Sequence, residues 1–440
     1  LPTPLDFGPF SRDTIDRVCD WRRTVNDGFA LPLREQESAR DTRVRAVDRW
    51  LARQLQRRLA PRGLGVRLWD GSTSWSGGPP VGELVVQDRP ALAGLVFTPD
   101  YSFGEMYMNR RVLVRESLPA VVQALNRLSR PGPPSFAERL MLALGPANDR
   151  LRALRNIRHH YDLGSDFYTL WLDREMVYTC ACYPTQDASL EEAQRAKLDM
   201  VCRKLALRPG ERVVEAGCGW GALALHMARH YGVNVRAFNI SRDQIAYARQ
   251  RAAEEGLAAQ VEFVEDDYRS ISGRYDAFVS VGMLEHVGRR QFRALADVLA
   301  RVLQPGSGRG LLHFIGRDHP RRLNVWIRRR IFPGAYPPTL HEVIGGVLQP
   351  AGMSVLDVEN LRLHYARTLT DWRTRFERAE GGVRERFGET FARAWHLYLT
   401  GSEAAFLTGW LQLFQVVFAP AGGTTVHHLR PSHPCAPAMY

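Results

Sequence analysis

From Val47 the segment RAVDRWLARQLQRRL repeats apolar residues at helical spacing, which places Val47, Trp50, Leu51 and Leu55 on one predicted face. The next stretch, GVRLWDGSTSWSGGPPVGELVVQD, alternates apolar and polar positions around a DG turn and predicts a β-hairpin or meander. PALAGLVF and LPAVVQALNRL read as helices, and a Pro/Gly break over Ser129 to Ser135 ends this first region. Beyond it the pattern changes. RVVEAGCGWGALALHMARHYG reads as a strand, a glycine turn and a helix. VNVRAFNIS, VEFVEDDYR, YDAFVSVGMLEHV and GLLHFIG supply further strands, separated by the helical RDQIAYARQRAAEEG and QFRALADVLARVLQPG. Alternating strands and helices predict an α/β fold with a Rossmann-like doubly wound sheet. The expected organisation is an extension over 1–46, a smaller α+β domain over 47–135, a catalytic domain over 136–430 and a tail over 431–440.

Composition narrows this little: 45% hydrophobic and 24% charged residues in 440 describe an ordinary globular chain. No apolar run reaches the ~18 residues of a membrane span, since Gly409, Gln412 and Gln415 interrupt the nearest case, Phe406 to Ala419. The opening LPTPLDFGPFSRD lacks a basic stretch followed by an apolar one, so the expected location is the cytoplasm. Six scattered cysteines predict reduced thiols, and Cys180-x-Cys182 has no second pair at zinc spacing, so no metal is expected. A net charge of +12 fits nucleic acid, anionic lipid or no particular partner.

The chemistry concentrates at Glu215-Ala216-Gly217-Cys218-Gly219-Trp220-Gly221. A glycine turn after a first strand lets the backbone approach a ligand and aims a helix N-terminus at it. A dinucleotide fingerprint has the register G-x-G-x-x-G, whereas this segment has G-x-G-x-G with an acid two residues before the first glycine. E-x-G-x-G-x-G resembles the first motif of class I S-adenosylmethionine methyltransferases. In those enzymes an acid commonly ends the second strand and binds ribose. Here Asn239, Ile240 and Ser241 stand there, with Gln244 one turn on, and Asp267 and Tyr268 follow the third strand at the adenine edge.

Further motifs name a subfamily. DYSFGEMYM (Asp100 to Met108), HHYDLGSDFYTLWLD (His159 to Asp173), MVYTCACYP (Met176 to Pro184), VGMLEHVG, LLHFIG, IFPGAYPP, HYARTLTDW and QLFQVVF together resemble the cyclopropane-fatty-acyl-phospholipid synthase family, from about Val47 to Ala419. The resemblance implies S-adenosylmethionine as methyl donor, bound by Tyr178, Thr179, Glu215, Gly217, Gly219, Gly221, Asn239, Ile240, Gln244, Asp267 and Tyr268. It also implies a bound bicarbonate base held by Cys180, Glu285, His313, Ile315 and Tyr365. An isolated alkene has no proton to lose, so methyl transfer precedes deprotonation and the base acts late, beside apolar walls. The implied partner is unsaturated phospholipid in a membrane contacted peripherally, with the 47–135 domain engaging lipid and a homodimer possible; no nucleic acid is expected. A relative that resolves the cation differently would leave a branched-methyl or methylene chain.

Each residue also has a structural reading: Cys180 as a small buried hydrophobe, His313 as a satisfied core histidine, Glu285 as a helix cap, Tyr365 as a half-buried aromatic. One position departs from the family: Ser402 stands where many members carry Cys, and the mechanism above needs no thiol nucleophile. RRLNVWIRRRIFPGAY, with Trp326, Ile327, Ile331 and Phe332 among five arginines, is the expected membrane-facing segment.

Overall fold

The computed structural model describes residues 43–75, 80–127 and 163–423. Helix α1 (Ala46–Leu59) buries Asp48, Leu51, Ala52, Leu55, Gln56 and Leu59. Val47 and Trp50, expected on that face, point outward instead, each about half exposed. Asp48 accounts for the rotation. Its fully buried carboxylate accepts a two-pronged contact from Arg89 (2.7 and 2.8 Å) and the Arg45 N–H, so the stripe through Asp48 faces inward.

Strands β1 (Leu64–Arg67), β2 (Gly82–Val86) and β3 (Val112–Arg115) form a small sheet in that order. The expected hairpin is corrected here, because β1 and β2 pair in parallel. The DG turn is real but local: Gly71 N–H bonds Leu68 C=O, and one bridge joins Arg67 to Thr73. The chain then returns, with Val81 N–H on Gly63 C=O, to start β2 alongside β1. Helices α2 (Arg89–Phe97), α3 (Pro99–Met108) and α4 (Leu118–Arg127) complete this unit. The boundary expected at 135 lies outside the described residues.

Helix α5 (Leu190–Lys204), started by a Ser189–Glu192 capping box, leads into the main sheet. Its elements are β4 (Arg212–Ala216), α6 (Ala222–Tyr231), β5 (Asn234–Asn239), α7 (Arg242–Glu254), β6 (Val261–Glu265), β7 (Ala277–Val281), α8 (Phe292–Val302) and β8 (Arg309–Gly316). After α9 (Val325–Arg330) come β9 (Met353–Asn360), α10 (Arg362–Phe387), α11 (Glu389–Leu407) and β10 (Gln412–Pro420). The order is β6-β5-β4-β7-β8-β10-β9: five parallel strands, then β10 antiparallel to both β8 and β9. This is the doubly wound class I methyltransferase arrangement. The chain moves outward from β4 through β5 and β6, then crosses to β7 on the other side. The switch opens a crevice at the carboxyl ends of β4 and β7.

Aromatic side chains pack together beside that crevice, with Phe167 at ring-centroid distances of 6.1, 5.3 and 4.8 Å from Trp171, Phe391 and Trp395. The small N-terminal unit is tied to this region: Arg330 grips Glu105 through two bonds of 2.7 Å, and Trp410 Nε1–H donates to Asn126 C=O.

Candidate active site

The glycine turn hangs from the end of β5, with the N–H groups of Gly217 and Cys218 donating to Phe238 C=O at 2.8 and 3.1 Å. Gly217 has φ +85°, and a Cβ there would lie 2.8 Å from Met283 Cβ, so this position requires glycine twice over. Gly217 and Gly219 line a cavity at the crevice. Gly221, expected to touch the cofactor, is absent from that lining. It caps α6, and a Cβ would strike Phe263 and Ala248, so it seats the helix against its neighbours.

Every other residue expected to bind the cofactor lines the cavity: Tyr178, Thr179, Glu215, Asn239, Ile240, Gln244, Asp267 and Tyr268. Asn239 is engaged with its neighbours. Its amide nitrogen donates to Gln244 Oε1 (2.7 Å) and Gly219 C=O (3.3 Å), and its oxygen accepts Ser241 N–H. Asn239 therefore couples the second strand to the glycine turn. The Asp267 carboxylate accepts from Arg269, which shapes the turn that presents Tyr268. The Tyr268 hydroxyl is buried without a partner among the described residues, and burial pushes its pKa up to about 12.

The sequence reading missed several lining groups: Met283, His286, Asp266 and above all Lys197. Lys197 did leave a signal. In LEEAQRAKLDM the buried face of α5 runs Leu190, Ala193, Gln194, Lys197, Leu198, so two polar residues interrupt an apolar stripe.

A second polar group lies beyond the cavity lining. Glu285 sits on a short helix (Leu284–Val287) after β7, where its Oε1 accepts the Ile315 N–H of β8 at 2.8 Å. His313, two residues back on β8, takes Gln415 of β10 at its Nδ1 (2.9 Å). Burial holds His313 well below the usual histidine pKa, so the ring is neutral; with Nδ1 accepting from the Gln415 amide, Nε2 carries the proton. That Nε2 and Glu285 Oε2 are both buried without a partner among the described residues. Burial also raises Glu285 to about 7, opposed by the Ile315 N–H.

Backbone bonds draw in the remaining members. Leu361 N–H donates to Leu413 C=O, and Leu413 faces Ile315 in the β10–β8 register. The Leu361 C=O in turn accepts Tyr365 N–H and lies 4.0 Å from Cys180 Sγ. Cys180 is fully buried and burial pushes its thiol pKa up, so it stays protonated. The Tyr365 ring packs on Phe406 and Trp372. Ser402 lies half-buried on α11, outside the cavity lining. Cys180, Cys202 and Cys218 are buried free thiols.

The basic segment also departs from expectation. Trp326 and Ile331 are buried, and the Trp326 ring covers Gly104 so closely that a Cβ there would come within 2.4 Å. Glu105 occupies Arg330, and Arg329 lies over the Tyr101 ring. The apolar half of the segment joins the two parts of the molecule rather than facing outward. No helix among the described residues is long and apolar enough to cross a membrane.

With that geometry in place, comparison with known proteins is informative. The family model described as mycolic acid cyclopropane synthetase matches residues 148–416. The chain is 35% identical to tuberculostearic acid methyltransferase UfaA1 of Mycobacterium tuberculosis over 83% of this chain and 90% of that protein. It is 40% identical to cyclopropane-fatty-acyl-phospholipid synthase of Escherichia coli over 60% of this chain and 67% of that one. Among solved structures, mycolic acid cyclopropane synthase CmaA1 complexed with SAH and CTAB superposes with a TM-score of 0.57 at 30% identity, over 60% of this chain and 97% of that one. The glycine turn, the crevice it borders and these matches agree: the chain belongs to the mycolic acid cyclopropane synthetase family and is an S-adenosylmethionine-dependent methyltransferase.

Proposed function

We propose that the enzyme transfers a methylene group from S-adenosylmethionine to the double bond of an unsaturated acyl chain in membrane phospholipid, forming a cyclopropane. The observation that carries this reading is the pair of orphaned polar atoms, Glu285 Oε2 and His313 Nε2, each buried, with Glu285 bonded to Ile315 two residues along β8 from His313. Two unsatisfied buried groups cost about 1–3 kcal/mol each unless something bonds them. A small oxyanion with both acceptor oxygens and a hydroxyl fits that demand. His313 Nε2–H would donate to it, and Glu285, ionised or protonated near neutrality, would accept from it or donate to it. Ile315, Cys180 and Tyr365 would complete the enclosure. A bicarbonate ion held there would supply the base for the late deprotonation.

The residues divide the chemistry. The cavity at the ends of β4 and β7 would hold the methyl donor, and dry walls would hold the alkene against its sulfonium methyl. The alkene carbon bonds the methyl carbon, the methyl–sulfur bond breaks, and S-adenosylhomocysteine leaves with the electron pair. The carbocation this creates on the acyl chain is favoured by nearby ring faces; Tyr178 contacts Trp372 at 5.2 Å, and Tyr365 adjoins Phe406. Loss of a proton from the new methyl group closes the ring. Gln415 keeps Nδ1 of His313 occupied, so that its proton stays on the nitrogen facing the site.

A second reading keeps the transfer and changes the outcome: a branched-methyl or methylene product. It is favoured by the broad match to tuberculostearic acid methyltransferase, over 83% of this chain. Incubation with S-adenosylmethionine, bicarbonate and vesicles of unsaturated phospholipid separates the two. A gain of one CH2 with cyclopropane ring protons by NMR supports the first. The same mass gain with vinylic or branched-methyl protons supports the second. We further propose that residues 47–135 engage the lipid and that the enzyme acts at the membrane surface.

A further inference from the structure

Lys197 is a buried cation that forms no ion pair among the described residues. It projects from α5 with only 1% of its surface exposed. Its Nζ donates to Thr179 Oγ1 at 2.8 Å, and no carboxylate of the described residues forms an ion pair with it. An ammonium has three N–H donors, so two are left for whatever the cavity holds. Uncompensated burial of a charge is expensive, and a lysine kept here implies an anion that arrives with the ligand. Burial lowers its pKa only to about 8, with Cys180, Asp173 and Glu215 acting to raise it, so near neutrality it remains mostly charged.

The cavity restricts the choice of anion. Lys197, Thr179, Glu215, Gly217 and Gly219 all line it, and Lys197 and Glu215 lie near enough to interact electrostatically. Glu215 adds a second clue, since its Oε2 is buried and unpartnered among the described residues. The cavity thus offers an ammonium and a carboxyl group in its lining. An α-amino acid zwitterion carries the complementary pair.

We propose that Lys197, with the Thr179 hydroxyl, is the anchor for the methionine carboxylate of S-adenosylmethionine. This rests on the cofactor lying in this cavity. It makes Lys197 a further binding residue of the reaction, one that sets how the sulfonium is placed along the crevice. Bicarbonate offers the same carboxylate chemistry, and two of its expected holders, Cys180 and His313, lie within electrostatic reach of Lys197; none of Cys180, Glu285, His313, Ile315 and Tyr365 lines this cavity, however. A purely structural role, pinning the Tyr178–Thr179 segment to α5, is already filled by Gln194, whose amide donates to Val177 C=O and Thr179 C=O.

The test is calorimetric binding of S-adenosylhomocysteine and of its decarboxylated analogue to the wild-type enzyme, Lys197→Met and Lys197→Arg. The wild type should prefer the carboxylate-bearing ligand by about tenfold to a hundredfold, the range of one or two charged hydrogen bonds. Lys197→Met should lose that preference while binding the decarboxylated analogue as before, and Lys197→Arg should restore part of it. Equal loss for both ligands, or an unselective wild type, overturns the proposal. So does an unchanged affinity for S-adenosylhomocysteine with a raised bicarbonate requirement. Failure of the wild type to bind S-adenosylhomocysteine at all would instead strike the cofactor reading beneath it.

Discussion

Glu285→Gln should make the enzyme inactive and, at alkaline pH, more stable. Gln keeps the oxygen that accepts the Ile315 N–H and removes only the ionisation of a carboxyl whose second oxygen has no partner among the described residues. Burial raises this carboxyl from its ordinary 4.5 to about 7, so the folded state holds the proton more tightly than the unfolded chain does. The sign follows. The proton-linked stability is fully present below pH 4.5, declines as pH rises between 4.5 and 7, and is gone above 7. At about 1.4 kcal/mol per pH unit across that interval, ionising Glu285 costs the native state ~3 kcal/mol by pH 8. The substitution removes that cost. Urea unfolding of both proteins at several pH values from 4.5 to 8.5 would therefore show a stability difference that grows toward alkaline pH in favour of Gln and levels off above 7. Any unmet bonding of the new amide shifts the curve by a constant and leaves its slope intact. A difference independent of pH would refute the reasoning, because it would mean that Glu285 titrates normally.

Four further outcomes are expected. Gly217→Ala, forced to φ +85° with its Cβ 2.8 Å from Met283 Cβ, should lose about 1–3 kcal/mol of stability and most affinity for S-adenosylhomocysteine, read by thermal melts and calorimetry. Glu105→Gln strands the largely buried Arg330 and should cost about 2 kcal/mol in unfolding experiments; an unaltered melt would show that the pair adds nothing between the two parts of the molecule. Ser402→Cys should leave turnover within about twofold, since the side chain lies outside the cavity and the thiol has no assigned step; a large gain would reinstate a nucleophile. Arg328→Glu should weaken sedimentation with anionic vesicles at low salt while Arg330→Lys, which keeps the charge toward Glu105, should not; equal binding by both would remove α9 from the membrane surface.

Local signals in the chain were enough for the five parallel strands, the helices between them and the turn at Gly217, because each is written in consecutive residues whose period or glycine content has one cheap conformation. Strands β9 and β10 were not legible in the same way. Every residue of QLFQVVFA is buried on both faces, so no alternation marks it as a strand. The motifs naming the family likewise singled out Glu285, His313 and Cys180, yet their meeting depends on register. Leu413 must face Ile315, and Leu361 must bond Leu413, before Cys180 and Tyr365 reach the same place.

Two readings went the other way, and one residue went unread, for one reason: burial is decided by what lies opposite. Val47 and Trp50 turned outward because Arg89, forty-one residues away, draws Asp48 in. Trp326 and Ile331 turned inward because Gly104 leaves room for an indole ring. Lys197 drew no reading from the sequence, and only the fold set it against Thr179 and placed it with Glu215 in the lining of a cavity. Sequence alone determined the class of fold and the chemistry the chain is equipped for, since those depend on residue type and short-range spacing. Only the tertiary structure decided which charges are left without partners, because that depends on contacts between segments far apart in the chain.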